Sequence, residues 1–385
     1  MKIVVAGGKL QGVEAAYLAH QAEWDVILID KNQNVPAVGL CDEFHQLDIT
    51  SDLSKVDSII RKADLIIPAL ENKLALESLE KIALQEEVPI AFDSPSYAIS
   101  SSKKKSDSLF LQNGVPAPLY WPCQMPVIVK PSGSSGSEGV QKVTTFKELS
   151  DVLKNLEIPQ DNWVIQEYLE GPSYSIEVLG CQGKYITLQV TDIEVDKGYD
   201  CKRVLAPTKL TEPLERQFEQ IATKIAEFVN LTGIMDVEII NHNNVLKVLE
   251  IDARLPSQTP TVVYKSTGIN MLKCLYDIYV RGTLEVQGIC KKDAVIYEHI
   301  YVDSEKIQTL GEHIMANSGH LKLCKDFFGA DEALTNYDQG RNKWIATLII
   351  TARNDSEAWN KRCEVIKNIR KKFGITVYYD STPNV

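Results

Sequence analysis

A predicted hairpin near the middle of the chain could bring several carboxylates together. Two β-rich segments flank residues 241–244, whose composition, Asn-His-Asn-Asn, is typical of a turn. Side chains two residues apart share one face of a strand, so Glu250, Asp252 and Arg254 are expected to lie together. Antiparallel pairing through the turn would place Glu238 roughly opposite Glu250.

Three carboxylates beside one arginine are costly unless cations neutralise them. We therefore interpret Glu238, Glu250 and Asp252 as ligands of Mg²⁺, with bound phosphates completing the coordination shell. Arg254 would then face a developing phosphate or oxyanion. The alternative is an exposed strand face of alternating charge without a binding role. Asp236 shares the face of Glu238 and is the ambiguous member. We expect it to lie next to the metal ligands without binding the metal itself.

A lysine at the end of a short predicted strand, Lys130, precedes a loop rich in glycine and serine. Such a loop offers many free N–H groups and suits phosphate binding. It is not a P-loop, because no Gly-Lys-Ser/Thr sequence closes it, and a plain flexible hairpin loop is the alternative. The candidate phosphate-binding residues of the loop are Ser132, Gly133, Ser134, Ser135 and Gly136.

A third pattern, Glu167, Tyr168 and Leu169, follows another predicted strand. A segment of this kind could offer backbone hydrogen bonds and an apolar wall to an adenine ring. Taken alone, an ordinary turn explains it better.

The elements that must position these residues are predicted to be an α/β fold. Over the first hundred residues, short β-branched runs such as Ile3–Ala6 and Val26–Ile29 alternate with helical spacing, as in Gln11–Gln21. Leu65–Pro68 and Pro89–Phe92 are predicted as further strands. Strands that alternate with helices indicate a doubly wound parallel sheet.

Composition excludes several classes of function. The 385 residues carry 41 basic and 52 acidic side chains, a net charge of −11, which disfavours nucleic acid and anionic membranes as partners. No stretch reaches the roughly 18 apolar residues of a membrane span. The eight cysteines are scattered without a Cys-x-x-Cys pair, which favours reduced thiols and a cytoplasmic location. Oligomeric state is not fixed by the sequence.

In order and spacing these patterns resemble the ATP-grasp superfamily over about residues 96–290. The matching sequence is Lys103 before a helix, Lys130-Pro131, the Gly/Ser loop, Gln166–Leu169, Glu238 and Glu250–Arg254. The resemblance implies ATP and Mg²⁺, with Lys103 and Lys130 on the phosphates, the loop closing over them and residues 167–169 holding adenine. The family usually carries Asn where Asp252 stands, and Asp keeps the ligand oxygen.

The resemblance also implies an ATP-grasp fold with a Rossmann-like N-terminal domain. We expect this domain at residues 1–95, a small lid subdomain at 96–180 and the catalytic and C-terminal domain at 181–385. The family's chemistry converts a carboxylate and ATP into an acyl phosphate, which an amine or another nucleophile attacks. Water must be kept away from such an intermediate.

Longer segments, at residues 7–18, 199–201, 233–238 and 250–264, resemble the ATP-grasp ligases of pyrrolysine biosynthesis. This resemblance implies small-molecule substrates: ATP phosphorylates the carboxylate of 3-methyl-D-ornithine (3-methylornithine), and the ε-amine of L-lysine then attacks. Glu177 and Asp200 are candidate partners of the ornithine amines, although structural salt bridges are an equal alternative for both. Arg254 with Ser257, Gln258 and Thr259 would hold the carboxylate and the transferring phosphate.

The same resemblance turns the N-terminal domain toward the active site. Lys9, Leu10, Gln11 and Glu71 could hold the incoming lysine, with Glu71 pairing an ammonium group; plain helix capping is the alternative for Glu71-Asn72. Lys9 with Asp30 and Asp48, both at strand ends, could touch the same ligand or a nucleotide. The glycine spacing departs from a dinucleotide fingerprint. Alternatives to this ligase are another ATP-grasp ligase, a carboxylase-type enzyme and a nucleotide-binding oxidoreductase; no general base is identifiable.

Overall fold

The computed structural model describes residues 1–133, 136–155, 162–286 and 293–383. The strands are β1 Lys2–Ala6, β2 Asp25–Asp30, β3 Glu43–Gln46, β4 Leu65–Pro68, β5 Val127–Pro131, β6 Gln141–Val143, β7 Trp163–Glu167, β8 Ser173–Cys181, β9 Lys184–Thr187, β10 Thr191–Val195, β11 Cys201–Ala206, β12 Gly233–His242, β13 Val245–Asp252, β14 Ala294–Val302, β15 Lys306–Thr309, β16 Lys322–Phe327, β17 Ala330–Thr335, β18 Trp344–Ala352 and β19 Val377–Asp380. The helices are α1 Leu10–Gln21, α2 Leu53–Ile60, α3 Lys73–Glu86, α4 Ser94–Ser100, α5 Lys103–Asn113, α6 Phe146–Lys154, α7 Glu212–Val229, α8 Thr259–Thr267, α9 Met271–Tyr276, α10 His313–Ala316 and α11 Asp355–Phe373, with a 3₁₀ turn at Pro36–Leu40 and a π-helical turn at Asp277–Arg281.

The N-terminal region is a parallel sheet with helices on both faces. Its strand order is β3-β2-β1-β4, and every pairing is parallel. Alternate residues of β1 point to opposite layers: Ile3 and Val5 pack on the side of α1, whereas Val4 and Ala6 pack with α2 and α3. This three-layer arrangement is the predicted doubly wound, Rossmann-like domain.

Helix α1 starts at a turn that needs glycine. A Cβ at Gly12 would lie 2.2 Å from the carbonyl oxygen of Gly7, so only glycine lets the helix approach the end of β1 this closely. Nine consecutive residues of α1, from Gln11 to Ala19, are buried. A helix that is buried all round must be covered on every side, and α1 lies between the N-terminal sheet and helices α8 and α9.

A small antiparallel sheet, β6-β5-β7, carries the glycine- and serine-rich loop between β5 and β6. Its inner face packs Val127, Val129 and Val143 against Leu149 of α6 in a separate small core. The loop is therefore mounted on a unit that has its own core, apart from the large sheet.

The rest of the described chain is built on a twelve-stranded sheet. Its main order is β13-β12-β8-β10-β11-β14-β18-β17-β16, with β9 on β8, β15 on β14 and β19 on β15. Helix α7 covers one end of this sheet through Phe218, Ala222 and Ile225, as its amphipathic spacing predicts. The hairpin β12–β13 turns at Asn243 and Asn244, which both have the positive φ of a two-residue turn.

Buried ion pairs connect β11, β14 and helix α11 with β19. Glu298 on β14 is fully buried and accepts hydrogen bonds from Arg203 at 2.7 Å and from Arg362 at 2.6 Å. Asp380 on β19 bonds Arg203 and Lys202, each at 2.6 Å. Burial alone would raise the pKa of Glu298, but the two arginines outweigh it and hold that pKa at about 2.

One local expectation is wrong. Pro89–Phe92 is not a strand, because only Ile90 makes a bridge to β4. Helix α4 follows shortly after; the side chain of Asp93 accepts the backbone N–H of Ser96, and a proline stands in the first turn. The domain limits near residues 95 and 180 stay predictions; β8, which spans the second limit, belongs to the large sheet.

None of the helices in the described part of the chain is both long enough and apolar enough to span a membrane.

Candidate active site

A cavity of about 500 Å³ lies between helix α3 of the N-terminal region, the glycine-rich loop and the large sheet. Its wall draws on distant parts of the chain. The predicted site residues that line it are Glu71, Lys103, Gly133, Gly136, Asp200, Glu238, Glu250, Asp252, Arg254, Ser257, Gln258 and Thr259. One cavity thus collects the predicted phosphate, metal and substrate groups.

The acids of the cavity floor form rows across the large sheet. Glu238 pairs directly with Glu250 across the β12–β13 ladder, as the hairpin pattern predicts. In the next row Asp236 lies between Asp252 on one side and Glu177 on the other. Cross-strand neighbours are about 4.5–5.5 Å apart at Cβ, and like charges there repel. The rows are therefore a strongly negative face.

Burial and mutual repulsion raise the pKa values of most of these acids. Burial first, and then the charge of Glu250, raises the pKa of Glu238 well above its ordinary value. Burial raises the pKa of Asp252 to about 7, although Arg254 opposes the shift, and that of Asp236 to about 6. Charge of this density favours binding of a cation or of protons.

Two lysines face these acids from the other side. Lys103 Nζ lies 3.1 Å from Glu250 Oε2. Lys130 is buried, and that burial lowers its pKa. Burial would raise the pKa of Glu250, but Lys103 and Lys130 outweigh it and keep that pKa low. Glu250 is thus held ionised between the lysines and the other acids.

The acids have the chemistry of a divalent-cation site, but their side chains are not arranged around a common point. Within the described residues, no three His, Cys, Asp or Glu side chains surround a common point as metal ligands. Asp252 Oδ2 instead bonds Arg254 at 2.6 Å. Its Oδ1, however, is buried without a hydrogen-bond partner, which leaves one acceptor for a cation. The donor set of three carboxylates is the chemistry that Mg²⁺ prefers, so the Mg²⁺ assignment of Glu238, Glu250 and Asp252 stays a prediction.

The glycine-rich loop lies against the cavity. Ser132 is tied to the start of α5, because its carbonyl accepts the N–H of Lys103 at 2.9 Å. Farther along the loop, Ser137 Oγ donates to the carbonyl of Tyr199 at 2.7 Å. A Cβ on Gly136 would stand 3.9 Å from Glu312 Oε1. The loop therefore reaches across the cavity; Ser134 and Ser135 lie outside the described residues.

The predicted adenine segment lies beside the cavity rather than in its wall. The backbone N–H of Glu167 donates to Leu119 at 2.8 Å, and that of Tyr168 donates to Pro126 at 3.1 Å. Leu169 is buried. The ring of Tyr168 lies 6.5 Å from the ring of Tyr199, which lines the cavity. An adenine role for residues 167–169 stays a prediction.

An ion pair between domains crosses the mouth of the cavity. Arg254 Nη2 lies 2.7 Å from Glu71 Oε1, and Gln11 Nε2 donates to the same oxygen at 3.3 Å. Helix α3 is capped by Asn72, whose side chain accepts the N–H of Ala75, so Glu71 is not needed as a cap. Burial alone would lower the pKa of Arg254, but Asp252 and Glu71 raise it.

Side chains of the segment before α8 donate hydrogen bonds to a buried acid, Glu312, which the sequence analysis did not identify. Glu312 Oε2 accepts hydrogen bonds from Ser257 Oγ at 2.9 Å and from Gln258 Nε2 at 2.6 Å. Burial, and then the charge of Asp200, raise the pKa of Glu312. Leu10 and these same residues also line a small adjoining space. Nothing in the local sequence of Glu312 signals a site, because strand pairing brings it there from outside the matched motifs.

The two candidate amine partners differ in position. Glu177 is fully buried, does not line the cavity, and has no hydrogen-bond partner at either carboxylate oxygen. Burial, and then the charge of Asp236, raise its pKa to about 8. Asp200 lines the cavity and bonds the ring of His313 at 2.5 Å. Only Asp200 is therefore in direct reach of a ligand.

Besides Glu177 and residues 167–169, several other predicted residues do not line the main cavity: Lys9, Leu10, Gln11, Asp30, Asp48, Lys130 and Ser132. Lys9 is the exposed cap residue before α1. Asp30 accepts the N–H of Gly8 at 2.8 Å and so holds the glycine turn in place. Asp48 bonds the N–H and hydroxyl of Thr50 in its own loop. Their ligand roles stay predictions.

Comparison with known proteins identifies the family of the chain. The sequence model of the ATP-grasp domain matches residues 100–258. The 3-methyl-D-ornithine–L-lysine ligase of Methanosarcina barkeri is 33% identical over 373 residues, which are 97% of this chain and 98% of that enzyme. The ligase of the same name from Methanosarcina mazei is 34% identical over 373 residues, with 97% and 96% covered. The chain belongs to this ligase family.

Solved structures of other enzymes share the fold seen here. The L-amino acid ligase of Bacillus licheniformis superposes with a TM-score of 0.69 at 17% identity, covering 95% of this chain and 97% of that one. The N5-carboxyaminoimidazole ribonucleotide synthetase of Thermotoga maritima gives 0.65 at 19% identity, covering 95% and 98%. These likenesses confirm the predicted ATP-grasp fold. Family membership confirms the predicted enzyme class, an ATP-dependent carbon–nitrogen ligase.

Proposed function

We propose that this family member joins the carboxylate of 3-methyl-D-ornithine to the ε-amine of L-lysine and converts ATP to ADP and phosphate. Relatives at 33–34% identity across almost the whole chain bear the name of this activity. The observation that carries the proposal is a single cavity in which Lys103 and Arg254 face Glu238, Glu250 and Asp252. Phosphoryl transfer to a carboxylate needs cations on the phosphates and a cation on the acceptor.

The nucleotide end of the cavity is assigned to the lysines and the loop. Lys103 and Lys130 would contact the phosphates, because both already offset the charge of Glu250. Residues 132–136 would add backbone N–H groups. The contact between Ser137 and Tyr199 holds this loop over the cavity and would keep water from the acyl phosphate.

Mg²⁺ would be held by Glu238, Glu250 and Asp252, whose oxygens would exchange their present contacts for the metal. When bound, it supplies positive charge that neutralises the phosphates. Without the metal these acids repel one another. This repulsion contributes to the raised pKa values of Glu238 and Asp252. The unpartnered Oδ1 of Asp252 supports this assignment.

The amino-acid end is assigned to Arg254, the 257–259 segment and nearby acids. Arg254 would orient the acceptor carboxylate, with Ser257 beside it. Glu312 and Asp200 line the same wall and would pair with substrate ammonium groups. Glu71, on the facing N-terminal domain, would take an ammonium of the incoming lysine in competition with Arg254.

A product assay tests the proposal. Purified enzyme is given 3-methyl-D-ornithine, D-ornithine or no ornithine, each with L-lysine, ATP and Mg²⁺, and the products are read by mass spectrometry and ADP release. We expect an amide of the two amino acids and ADP release that requires both of them. Chelation of Mg²⁺ should stop the reaction, and added Mg²⁺ should restore it. ADP release without an amide product, or with unrelated acceptors only, would refute the assignment.

Paired variants separate site chemistry from general damage. Glu250→Gln should lower ADP release by about a hundredfold or more, the usual scale for a lost electrostatic group in a dry site. Glu364→Gln, on the exposed face of α11, is the matched control and should leave the rate unchanged. Equal rates for the two variants would count against the phosphate and metal assignment.

We also propose a cytoplasmic location. The seven cysteines of the described residues are free thiols, which supports a reducing compartment.

A further inference from the structure

The segment that faces the substrate end of the cavity contains a strained turn. Gln258 has φ +71° and ψ −60°, and the N–H of Thr259 donates to the carbonyl of Ser257 at 2.8 Å. These values define a γ-turn of positive φ, a rare and strained conformation for a residue with a side chain. Strain of this kind persists only where the surroundings hold it.

The group that holds the turn comes from the other domain. Glu14 lies on α1, is almost fully buried, and accepts the N–H of Gln258 at 3.3 Å and the N–H of Thr261. Thr261 stands in the first turn of α8, whose N-terminal N–H groups have no partner within the helix. Helix α8 has no capping side chain of its own at Gln258. Glu14 therefore caps α8 from outside and pins the turn at the same time.

The outer side of the pinned turn is part of the cavity wall. The side chain of Gln258 donates to Glu312 at 2.6 Å and accepts from the thiol of Cys201 at 3.1 Å. Ser257 donates to the same oxygen of Glu312. If the turn relaxes, the side chains of Ser257 and Gln258 leave the positions from which they contact a ligand. Glu14 itself does not line the cavity, so it acts only through the turn.

We propose that Glu14 is a positioning residue for the reaction, which fixes the Ser257–Thr259 turn, and through it Glu312, in the geometry that binds the carboxylate substrate. This inference rests on the proposed function for the identity of that substrate. It also makes the N-terminal domain part of the specificity of the amino-acid end, because α1 carries Glu14.

The test compares two buried glutamates that join the same pair of helices. Glu14→Gln puts an amide N–H₂ opposite one of the two backbone N–H donors, so one hydrogen bond is lost. Glu332→Gln is the matched control: Glu332 accepts from Tyr17 of α1 at 2.6 Å and lies 3.0 Å from Lys265 of α8, but does not line the cavity. Both variants weaken the helix contact, and only the first touches the turn.

For Glu14→Gln we expect kcat/KM for 3-methyl-D-ornithine to fall about tenfold, as loss of one buried hydrogen bond predicts, with KM for ATP nearly unchanged. Glu332→Gln should leave both values near those of the wild type. A fall no larger than that of the control, or an equal rise in KM for ATP, would overturn the inference.

Two further measurements keep the test decisive. Amide hydrogen exchange at Gln258 and Thr261 should be about tenfold faster in Glu14→Gln than in the wild type; unchanged exchange refutes the inference even if the variant is poorly active. In a Gln258→Gly background, where the turn is unstrained, Glu14→Gln should have a smaller effect than in the wild type. If the wild type makes no amide product, the proposed function fails, and the exchange result still decides the role of Glu14.

Discussion

Replacing Glu177 by glutamine should change how the stability of the unliganded protein depends on pH. Glu177 is fully buried, neither of its oxygens has a hydrogen-bond partner, and it faces Asp236 across the sheet. Burial and that neighbour raise its pKa from 4.5 to about 8. The folded protein therefore holds a proton on Glu177 at neutral pH that the unfolded chain has released.

The sign of the effect follows from this difference. Between about pH 4.5 and pH 8 the folded state binds the extra proton, so a rise in pH destabilises the wild type through this group. The loss is about 1.4 kcal/mol for each pH unit, or about 2.7 kcal/mol between pH 5.5 and pH 7.5. Glutamine does not titrate and lacks this loss. Its buried amide adds an offset of about 1–3 kcal/mol, which does not vary with pH.

Urea denaturation at pH 5.5, 6.5 and 7.5 measures the free energy of unfolding for Glu177→Gln and the wild type. Their difference should move in favour of the variant by about 2.7 kcal/mol across this range. Acids that do not interact with Glu177 titrate in both proteins and largely cancel. Glu364→Gln on the exposed face of α11 serves as control and should run parallel to the wild type. Parallel curves for Glu177→Gln would refute the reasoning.

Three other predictions concern separate parts of the molecule. Lys130→Met should keep the fold, since it removes a buried cation of lowered pKa, yet reduce ADP release by about a hundredfold. Arg362→Ala should cost about 3–5 kcal/mol in unfolding free energy, read by denaturation, because it leaves the buried Glu298 short of a partner. Ser137→Ala should loosen the loop from Tyr199 and raise unproductive ATP hydrolysis relative to amide formation, measured as the ratio of ADP to product.

The parts of the site that follow local patterns could be predicted from the sequence. Pairing of Glu238 with Glu250 follows from residue alternation and from the two-residue turn at Asn243 and Asn244. The position of Lys130 near the end of β5 follows from the short β-branched run that precedes it and the glycine-rich loop that follows. The start of α4 also follows a local signal, since Asp93 is a capping residue and a proline stands in the first turn of the helix.

Contacts between distant segments could not be predicted. Glu312 reaches the site because β14 and β15 join the large sheet, and nothing near it in the chain specifies that pairing. Glu14 is different, since a carboxylate inside the apolar run of α1 is itself unusual and marks a buried polar contact. Its partners at Gln258 and Thr261 are more than 240 residues away, and only the folded chain identifies them.

The ion pair of Arg254 with Glu71 would link the two proposed amino-acid subsites energetically. An ammonium ion that approaches Glu71 competes with the guanidinium for one carboxylate, and an anion that attracts Arg254 competes with Glu71 for one guanidinium. Each ligand thus partly dismantles the contact that opposes the other. Linkage makes this effect equal in both directions, so the cation and the anion should favour each other's binding and the enzyme should fill both subsites together more readily than either alone.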